Sequence, residues 1–384
     1  MTNTTIKPVI CVVGARPNYM KMAPILRALD SHVPAIPWLL VHTGQHYDKD
    51  MNDKLFEDLK LPRPHINLEV GSSTHAIQTA EVMRRFEPLL DEHHPSCVVV
   101  VGDVNSTLAC ALVATKKGVP TVHVEAGLRS YDRRMPEEIN RILTDQISDR
   151  LYTTERSAQE NLRLEGIPAG RVSFVGNVMI DSLMANRSVA HTAKSTVVAG
   201  GFSPSILDGN KGFGVVTLHR PSNVDSPETL GNLLEILREV SVHVPLVFAL
   251  HPRTRANIDK FNLMHWVDPD RMLILPPQGY LEMLGLMAEA AMVLTDSGGL
   301  QEETTALGVP CLTLRENTER PITVDQGTNI LVGTDRDAIL KGVHDILAGR
   351  GKRGRVPELW DGRAAERIAA DLWQWLGSPQ TLAS

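Results

Sequence analysis

Acidic side chains gather where strands give way to loops. Asp103 follows the run Val98 to Val101 and Gly102, and Glu125 lies within His123-Val124-Glu125-Ala126-Gly127-Leu128-Arg129. A carboxylate set directly after an apolar run is partly desolvated, which suits it to acid or base work near neutral pH. Glu137, after Pro136, opens a helix with Arg141 four residues on, so a stabilising pair accounts for it as well as catalysis does. The turn Gly14-Ala15-Arg16-Pro17-Asn18-Tyr19-Met20-Lys21 holds two cations, Arg16 and Lys21, for an anionic ligand or a solvated loop edge. It has one glycine where a dinucleotide fingerprint needs three, and Gly212-Phe213-Gly214 precedes a strand, so no nicotinamide or other cofactor is expected.

In the second half, Ser297-Gly298-Gly299-Leu300-Gln301-Glu302-Glu303 follows a strand ending at Asp296. Glycines opening a helix present free N–H groups and a favourable dipole to a phosphate, and a carboxylate one to two turns in can accept from a ribose diol. An ordinary tight turn has the same spelling. A diphosphate also needs positive side chains, which His219-Arg220 and Arg320 supply. His219 ends an apolar run, where an imidazole can bridge a phosphate or move protons. His42 and His46 span a strand end and a turn instead of one helix face, so no metal is expected.

These groups need a scaffold. Short runs rich in Val, Ile and Leu alternate with segments of helical period, the pattern of parallel strands covered on both faces. They are residues 9–13, 38–41, 97–101, 121–124, 151–153 and 172–175 in the first half, and 214–218, 246–250, 272–275, 292–295, 311–314 and 329–332 in the second. Ile139, Ile142, Leu143, Ile147 and Leu151 form an apolar stripe after Pro136, predicting an amphipathic helix. Gly102-Asp103 leading to Gly118-Val119-Pro120 is echoed by Asp296 leading to Gly308-Val309-Pro310, which points to a duplicated α/β architecture with acids at the carboxyl ends of strands. The Ser, Thr, Ala and Gly of residues 186–213 mark a boundary, set after Val178. The amphipathic segment from Arg363 to Leu376 is expected to pack back on a domain surface. Residues 1–178 plus 364–384 then form an N-terminal Rossmann-like domain carrying the acids, and 179–363 a second Rossmann-like domain.

Length and composition agree with two folded domains: 384 residues, 42% hydrophobic and 22% charged. A net charge of -6 gives no basic field, so nucleic acid is not an expected partner. The four cysteines are scattered, three of them against apolar runs, and read as buried thiols, which suits a reducing compartment, by default the cytoplasm. No apolar run reaches the roughly 18 residues of a membrane span.

Taken in order, Gly14-Ala15-Arg16-Pro17, Thr43-Gly44-Gln45-His46, Gly102-Asp103, the His123 to Arg129 block, Met135-Pro136-Glu137-Glu138-Ile139-Asn140-Arg141, Thr295 to Gly299 with Gln301-Glu302-Glu303, and Thr318-Glu319-Arg320-Pro321 resemble the non-hydrolysing UDP-N-acetylglucosamine 2-epimerases. The resemblance runs from about residue 9 to residue 334. It implies a GT-B fold, with two doubly wound domains facing a central cleft, a UDP-sugar substrate, and a homodimer. The implied reaction is reversible conversion of UDP-GlcNAc to UDP-ManNAc for surface polysaccharide, through loss of UDP to a 2-acetamidoglucal and re-addition. By the same resemblance Asp103, Glu125, Glu137 and His219 are catalytic, and Arg16 and Lys21 meet the substrate phosphates or sugar. Ser297, Gly298, Gly299, Glu303 and Arg320 hold UDP, with Arg141 near the sugar and Gln278 near the base. Gln45, His46 and His251 are similar to positions that some members use for a second UDP-GlcNAc. The chain departs from the family at Ala15 and Asn18, where many members have Gly-Thr-Arg-Pro-Glu, and at Leu218 to Asn223, where Gly-His-Arg-Arg-Glu is usual. These departures leave the N-acyl sugar open, and a hydrolysing epimerase, a GT-B glycosyltransferase or a UDP-sugar sensor stand as alternatives.

Overall fold

A computed structural model of the chain describes residues 7–44, 56 and 58–377, so Gln45 and His46 lie outside the described residues. Two compact units emerge, one made of Met1–Ala185 with Glu358–Ser384 and the other of Asn186–Pro357. The first holds a seven-stranded parallel sheet, β1 (Val9–Val13), β2 (Trp38–His42), β3 (Ile66–Asn67), β4 (Cys97–Val101), β5 (Thr121–Ala126), β6 (Arg150–Thr153) and β7 (Val172–Phe174), in the order β3-β2-β1-β4-β5-β6-β7. In the second, β8 (Gly214–Thr217), β9 (Leu246–Ala249), β10 (Met272–Leu275), β11 (Met292–Thr295), β12 (Cys311–Thr313) and β13 (Asn329–Leu331) follow the order β10-β9-β8-β11-β12-β13. Every described strand but β3 coincides with an apolar run of the sequence; β3 has two residues, too few to show a period.

The same winding recurs in both units. The chain runs outward from β1 to β3, returns to place β4 on the other side of β1, and repeats this with β8, β9, β10 and β11. Strand order therefore reverses between β1 and β4 and again between β8 and β11, and at such a reversal the helices leave on opposite faces and open a crevice at the carboxyl ends of the strands. Alternate residues of a strand face opposite ways, yet β1 and β4 are buried at every position, because helices cover both faces. The architecture is a GT-B-like, Rossmann-type α/β fold.

Helix Pro136–Ile147 departs from the apolar-in rule. Its buried residues are Glu138, Asn140, Arg141, Thr144 and Asp145, while Ile139 and Leu143 are exposed. The stripe read from the sequence exists only as far as Ile147, since Leu151 belongs to β6; Ile139 and Leu143 point outward, whereas Ile147 packs against the core of the first unit.

The boundary expected after Val178 falls instead at Ala185. Helix Val178–Asn186 stays with the first unit, its Ser182 hydroxyl donating to the carbonyl of Met20 at 2.5 Å. Asp181 on this helix accepts from the N–H groups of Ala364 and Ala365 at 3.1 and 2.7 Å, capping helix Ala364–Leu376 from a segment far away in sequence. Further along that helix Asp371 accepts from Arg150 and from Tyr152 of β6, so the C-terminal helix is fastened to the rest of the first unit at its start and midway along. All four cysteines are buried free thiols, and burial pushes the Cys311 thiol up to about 11. No helix of the described residues is long and apolar enough to cross a membrane. An Asp181→Ala substitution is expected to cost about 1 kcal/mol, the usual worth of an N-cap, read as an earlier thermal unfolding of the first unit.

Candidate active site

In the first unit the sequence-predicted residues collect at the reversal between β1 and β4. The turn after β1 is tied down by Asn18, whose side-chain oxygen accepts from the N–H groups of Gly14 and Ala15 at 3.2 and 2.9 Å and whose amide donates to the carbonyl of Val101 at 3.0 Å. A glutamate could make the first two bonds but not the third, so asparagine here joins the ends of β1 and β4. One turn further along, Lys21 reaches back to Glu125, with its Nζ 2.8 Å from both carboxylate oxygens, and both side chains are buried. Gly102 makes room for the ammonium: a Cβ there would lie 2.9 Å from Lys21 Nζ, and its φ of +68° is one that glycine adopts without strain.

Glu125 itself has φ +72°, at the point where the pairing of β5 with β6 shifts register between Val124 and Ala126. A left-handed non-glycine residue costs on the order of 1–2 kcal/mol and persists only where its surroundings over-determine it. Those surroundings come from the inward polar face of helix Pro136–Ile147. Arg141 donates to Asp103 and to Glu138 at 2.5 Å each. Asn140 donates to the carbonyl of Asp103 at 2.9 Å. Glu138 accepts from the N–H groups of Ser130 and Tyr131 at 2.9 Å. Asp145 takes Arg129 at 2.7 Å and the N–H of Gly127 at 3.0 Å. Burial alone would push the Asp145 carboxyl up, but His123 and Arg129 together hold it below its ordinary value.

The second unit builds its polar cluster at the reversal between β8 and β11. Asp296, fully buried after β11, accepts from the backbone N–H groups of His219 and Arg220 and pairs with His219 Nδ1 at 2.9 Å. Burial would raise this carboxyl; the imidazole and the two N–H groups reverse the effect and keep it below the ordinary range. His219 is thus oriented by a carboxylate and partly exposed. Helix Gly298–Leu307 begins two residues after Asp296. Packed against its first turn is Glu319, whose Oε1 would be 2.6 Å from a Cβ on Gly298, with Arg220 at 3.3 Å and Arg315 at 3.0 Å. Arg320 pairs with Glu302 at 2.8 Å. Among the described residues Arg220 Nε, Arg315 Nη1 and Gln301 Nε2 are buried donors without an acceptor. Glu303 is buried beside Tyr280, and burial pushes its pKa up to about 8, the charge of Glu302 adding to the effect and the tyrosine hydroxyl opposing it.

The sequence model described as UDP-N-acetylglucosamine 2-epimerase matches residues 28–372. The UDP-N-acetylglucosamine 2-epimerase of Methanocaldococcus jannaschii is 42% identical over 364 residues, which span 94% of this chain and 97% of that protein. The chain belongs to the UDP-N-acetylglucosamine 2-epimerase family. The crystal structure of the M. jannaschii enzyme in complex with UDP-GlcNAc and UDP matches this epimerase with a TM-score of 0.85 at 41% identity, covering 96% of this chain and 99% of that one. The UDP-2,3-diacetamido-2,3-dideoxy-D-glucuronate 2-epimerase of Pseudomonas aeruginosa is 40% identical over 369 residues, 95% of this chain and 99% of that protein.

The structure brings Lys21, Glu125, Asp103 and Arg141 into one neighbourhood of the first unit, with Arg16 at the start of helix Arg16–Ser31. Glu137 lies in the first turn of helix Pro136–Ile147, partly exposed, whereas its neighbour Glu138 is turned inward. His219, Ser297, Gly298, Gly299, Glu303 and Arg320 belong to or border the second cluster, Ser297 as the residue preceding the helix. Gln278 stands apart from these contacts, partly exposed on the loop after β10 and donating to the carbonyl of Pro276 at 2.7 Å. His251 precedes helix Pro252–Lys260, its ring centroid 5.7 Å from that of His219. Sequence reasoning passed over Glu138, Asn140 and Asp145, although their three- and four-residue spacing with Arg141 and Thr144 marks one helix face. It also passed over Asp296 as a partner of His219. Among the described residues no group of acids, histidines and cysteines is arranged to hold a metal ion.

Glu303 supplies a pH test. Its carboxyl is raised from 4.5 to about 8 in the fold, so the folded protein keeps a proton that the unfolded chain releases. The resulting stability is complete at pH below the unfolded value and is lost as pH rises through about 8. In a Glu303→Gln variant this loss disappears, and its melting temperature relative to the parent should rise between about pH 5 and about pH 8 and level off above that.

Proposed function

We propose that this epimerase interconverts UDP-N-acetylglucosamine and UDP-N-acetylmannosamine without hydrolysis. The observation that carries the reading is the buried Lys21–Glu125 pair in a strained β5 bulge beside Asp103. A carboxylate held in one direction by an ammonium in a water-poor site is positioned to accept a proton from carbon. C2 of the sugar is not adjacent to a carbonyl, so its proton is lost together with a leaving group. Glu125 or Asp103 takes the C2 proton while the C1–O bond to UDP breaks, leaving a C1=C2 double bond in 2-acetamidoglucal. UDP then adds back to C1 as a proton is delivered to the other face of C2, and Glu137 shares these transfers. A positioned base or acid contributes roughly a hundred- to ten-thousandfold, so stabilising the departing diphosphate carries much of the remaining acceleration.

The second unit supports that task. Its helix N-terminus at Gly298 and its buried, unsatisfied arginine donors suit an anion, with Ser297, Gly299 and Arg320 alongside. His219, fixed by Asp296, assists the diphosphate; Glu303 receives the ribose diol; Gln278 borders the base; Arg16 and Arg141 serve the phosphates and sugar. UDP-2,3-diacetamido-glucuronate is the second reading, because the P. aeruginosa relative named for it is nearly as similar as the M. jannaschii one. A homodimer is supported by Ile139 and Leu143, two large apolar side chains left exposed four residues apart on one helix.

Proton NMR of the protein with UDP-GlcNAc in heavy water tests the chemistry. UDP-ManNAc should form with deuterium at C2 and without stoichiometric free UDP. Epimer lacking deuterium would rule out the elimination, and accumulation of UDP with free ManNAc would make the enzyme hydrolytic. Glu125→Gln should lose at least about a hundredfold in turnover while still binding UDP. Separately, an Ile139→Asp, Leu143→Asp double variant should sediment as a monomer where the parent sediments as a dimer.

A further inference from the structure

His123 sits two residues before Glu125 with its side chain wholly shielded from solvent. Its Nδ1 is 2.6 Å from Asp145 Oδ1, and its Nε2 is 2.8 Å from the carbonyl oxygen of Gly102. A carbonyl oxygen only accepts, and so does an ionised carboxylate. Asp145 also takes donors from the Arg129 guanidinium and the Gly127 N–H, so it meets the ring as an acceptor. Both ring nitrogens therefore face acceptors, one on each side of the ring. The network extends outward, Asp145 pairing with Arg129 at 2.7 Å and Arg129 with Glu165 at 2.6 Å. Gly102 is the residue immediately before Asp103, and its N–H donates to the carbonyl of Val124, immediately before Glu125, at 3.1 Å. On the far side of Glu125, the other oxygen of Asp145 holds the N–H of Gly127.

We infer that His123, as a double donor bridging Asp145 and Gly102, is a positioning residue that sets the backbone carrying Asp103 against the backbone carrying Glu125. This rests on the assignment of those two acids to proton transfer. One buried ring locks the turn after β4, Asp145 locks the turn after β5, and the left-handed backbone of Glu125 lies between the locks. Releasing the Gly102 bond leaves the acids present but free to drift, and a displacement of about 1 Å at reacting groups costs on the order of a hundredfold in rate.

The two bonds can be separated by substitution. Asparagine places a donor near the Nδ1 position and keeps only the Asp145 contact, whereas glutamine places one near Nε2 and keeps only the Gly102 contact. With UDP-GlcNAc in heavy water, His123→Asn is expected to lower kcat for C2 exchange about a hundredfold with KM changed by less than about threefold, and His123→Gln to stay within about tenfold of the parent. In the parent protein labelled with 15N-histidine, long-range correlation should show one imidazole protonated on both nitrogens that vanishes in either variant. Equal losses of kcat in the two variants would overturn the positioning role, and so would a bare nitrogen on that ring. Absence of C2 exchange in the parent itself would instead overturn the assignment of the acids, and the positioning role with it.

Discussion

The Lys21–Glu125 ion pair is the constraint around which the first unit is arranged. Removing two opposite charges from water costs several kcal/mol apiece, and their attraction repays this only with close geometry and further hydrogen bonds. Such a pair tolerates little freedom. Lys21 is fixed because helix Arg16–Ser31 starts at a turn pinned by Asn18 to the end of β4. Glu125 is fixed because the polar face of helix Pro136–Ile147 holds the turns on either side of it. That helix reverses the usual arrangement, burying Glu138, Arg141 and Asp145 and exposing Ile139 and Leu143, and each buried charge on it meets an opposite charge. Outward apolar residues are the consequence of an inward face occupied by charge.

The second unit solves a similar problem with a different balance. Glu302 and Glu319 lie with Arg320, Arg220 and Arg315 against the start of a helix whose dipole adds positive character. Among the described residues Arg220 Nε and Arg315 Nη1 remain unsatisfied although buried, a cost of about 1–3 kcal/mol each that folded proteins seldom carry without a compensating role. Excess donors at a helix N-terminus favour an anion with more acceptor oxygens than one carboxylate offers, which describes a diphosphate.

Much of this was legible in the sequence, for specific reasons. Strands buried on both faces read as continuous apolar runs, and the two windings are echoed by the repeat of Gly118-Val119-Pro120 in Gly308-Val309-Pro310. The reversal of strand order then brings the residues after β1 and β4, and those after β8 and β11, together without further instruction. Helix Pro136–Ile147 shows the limit. Periodicity reveals that it has an apolar and a polar face but not which one turns inward, because that depends on partners distant in the chain: Asp103 for Arg141 and His123 for Asp145. The same gap made Glu137 prominent, next to Pro136, while Glu138 carried the inward contacts.

The positive φ of Glu125 connects fold to chemistry. A regular β5 would continue its alternation through Glu125, and the register shift between Val124 and Ala126 breaks it. The bulge turns a residue at the end of a covered strand toward Lys21 on a different element, which regular pleating does not guarantee. Its cost falls on a single residue, whereas the stabilisation is spread over Asn18, His123, Arg141 and Asp145, none of which contacts solvent appreciably. Strain concentrated at one carboxylate and support distributed around it is the arrangement expected when the exact direction of an acid matters more than the stability of its strand.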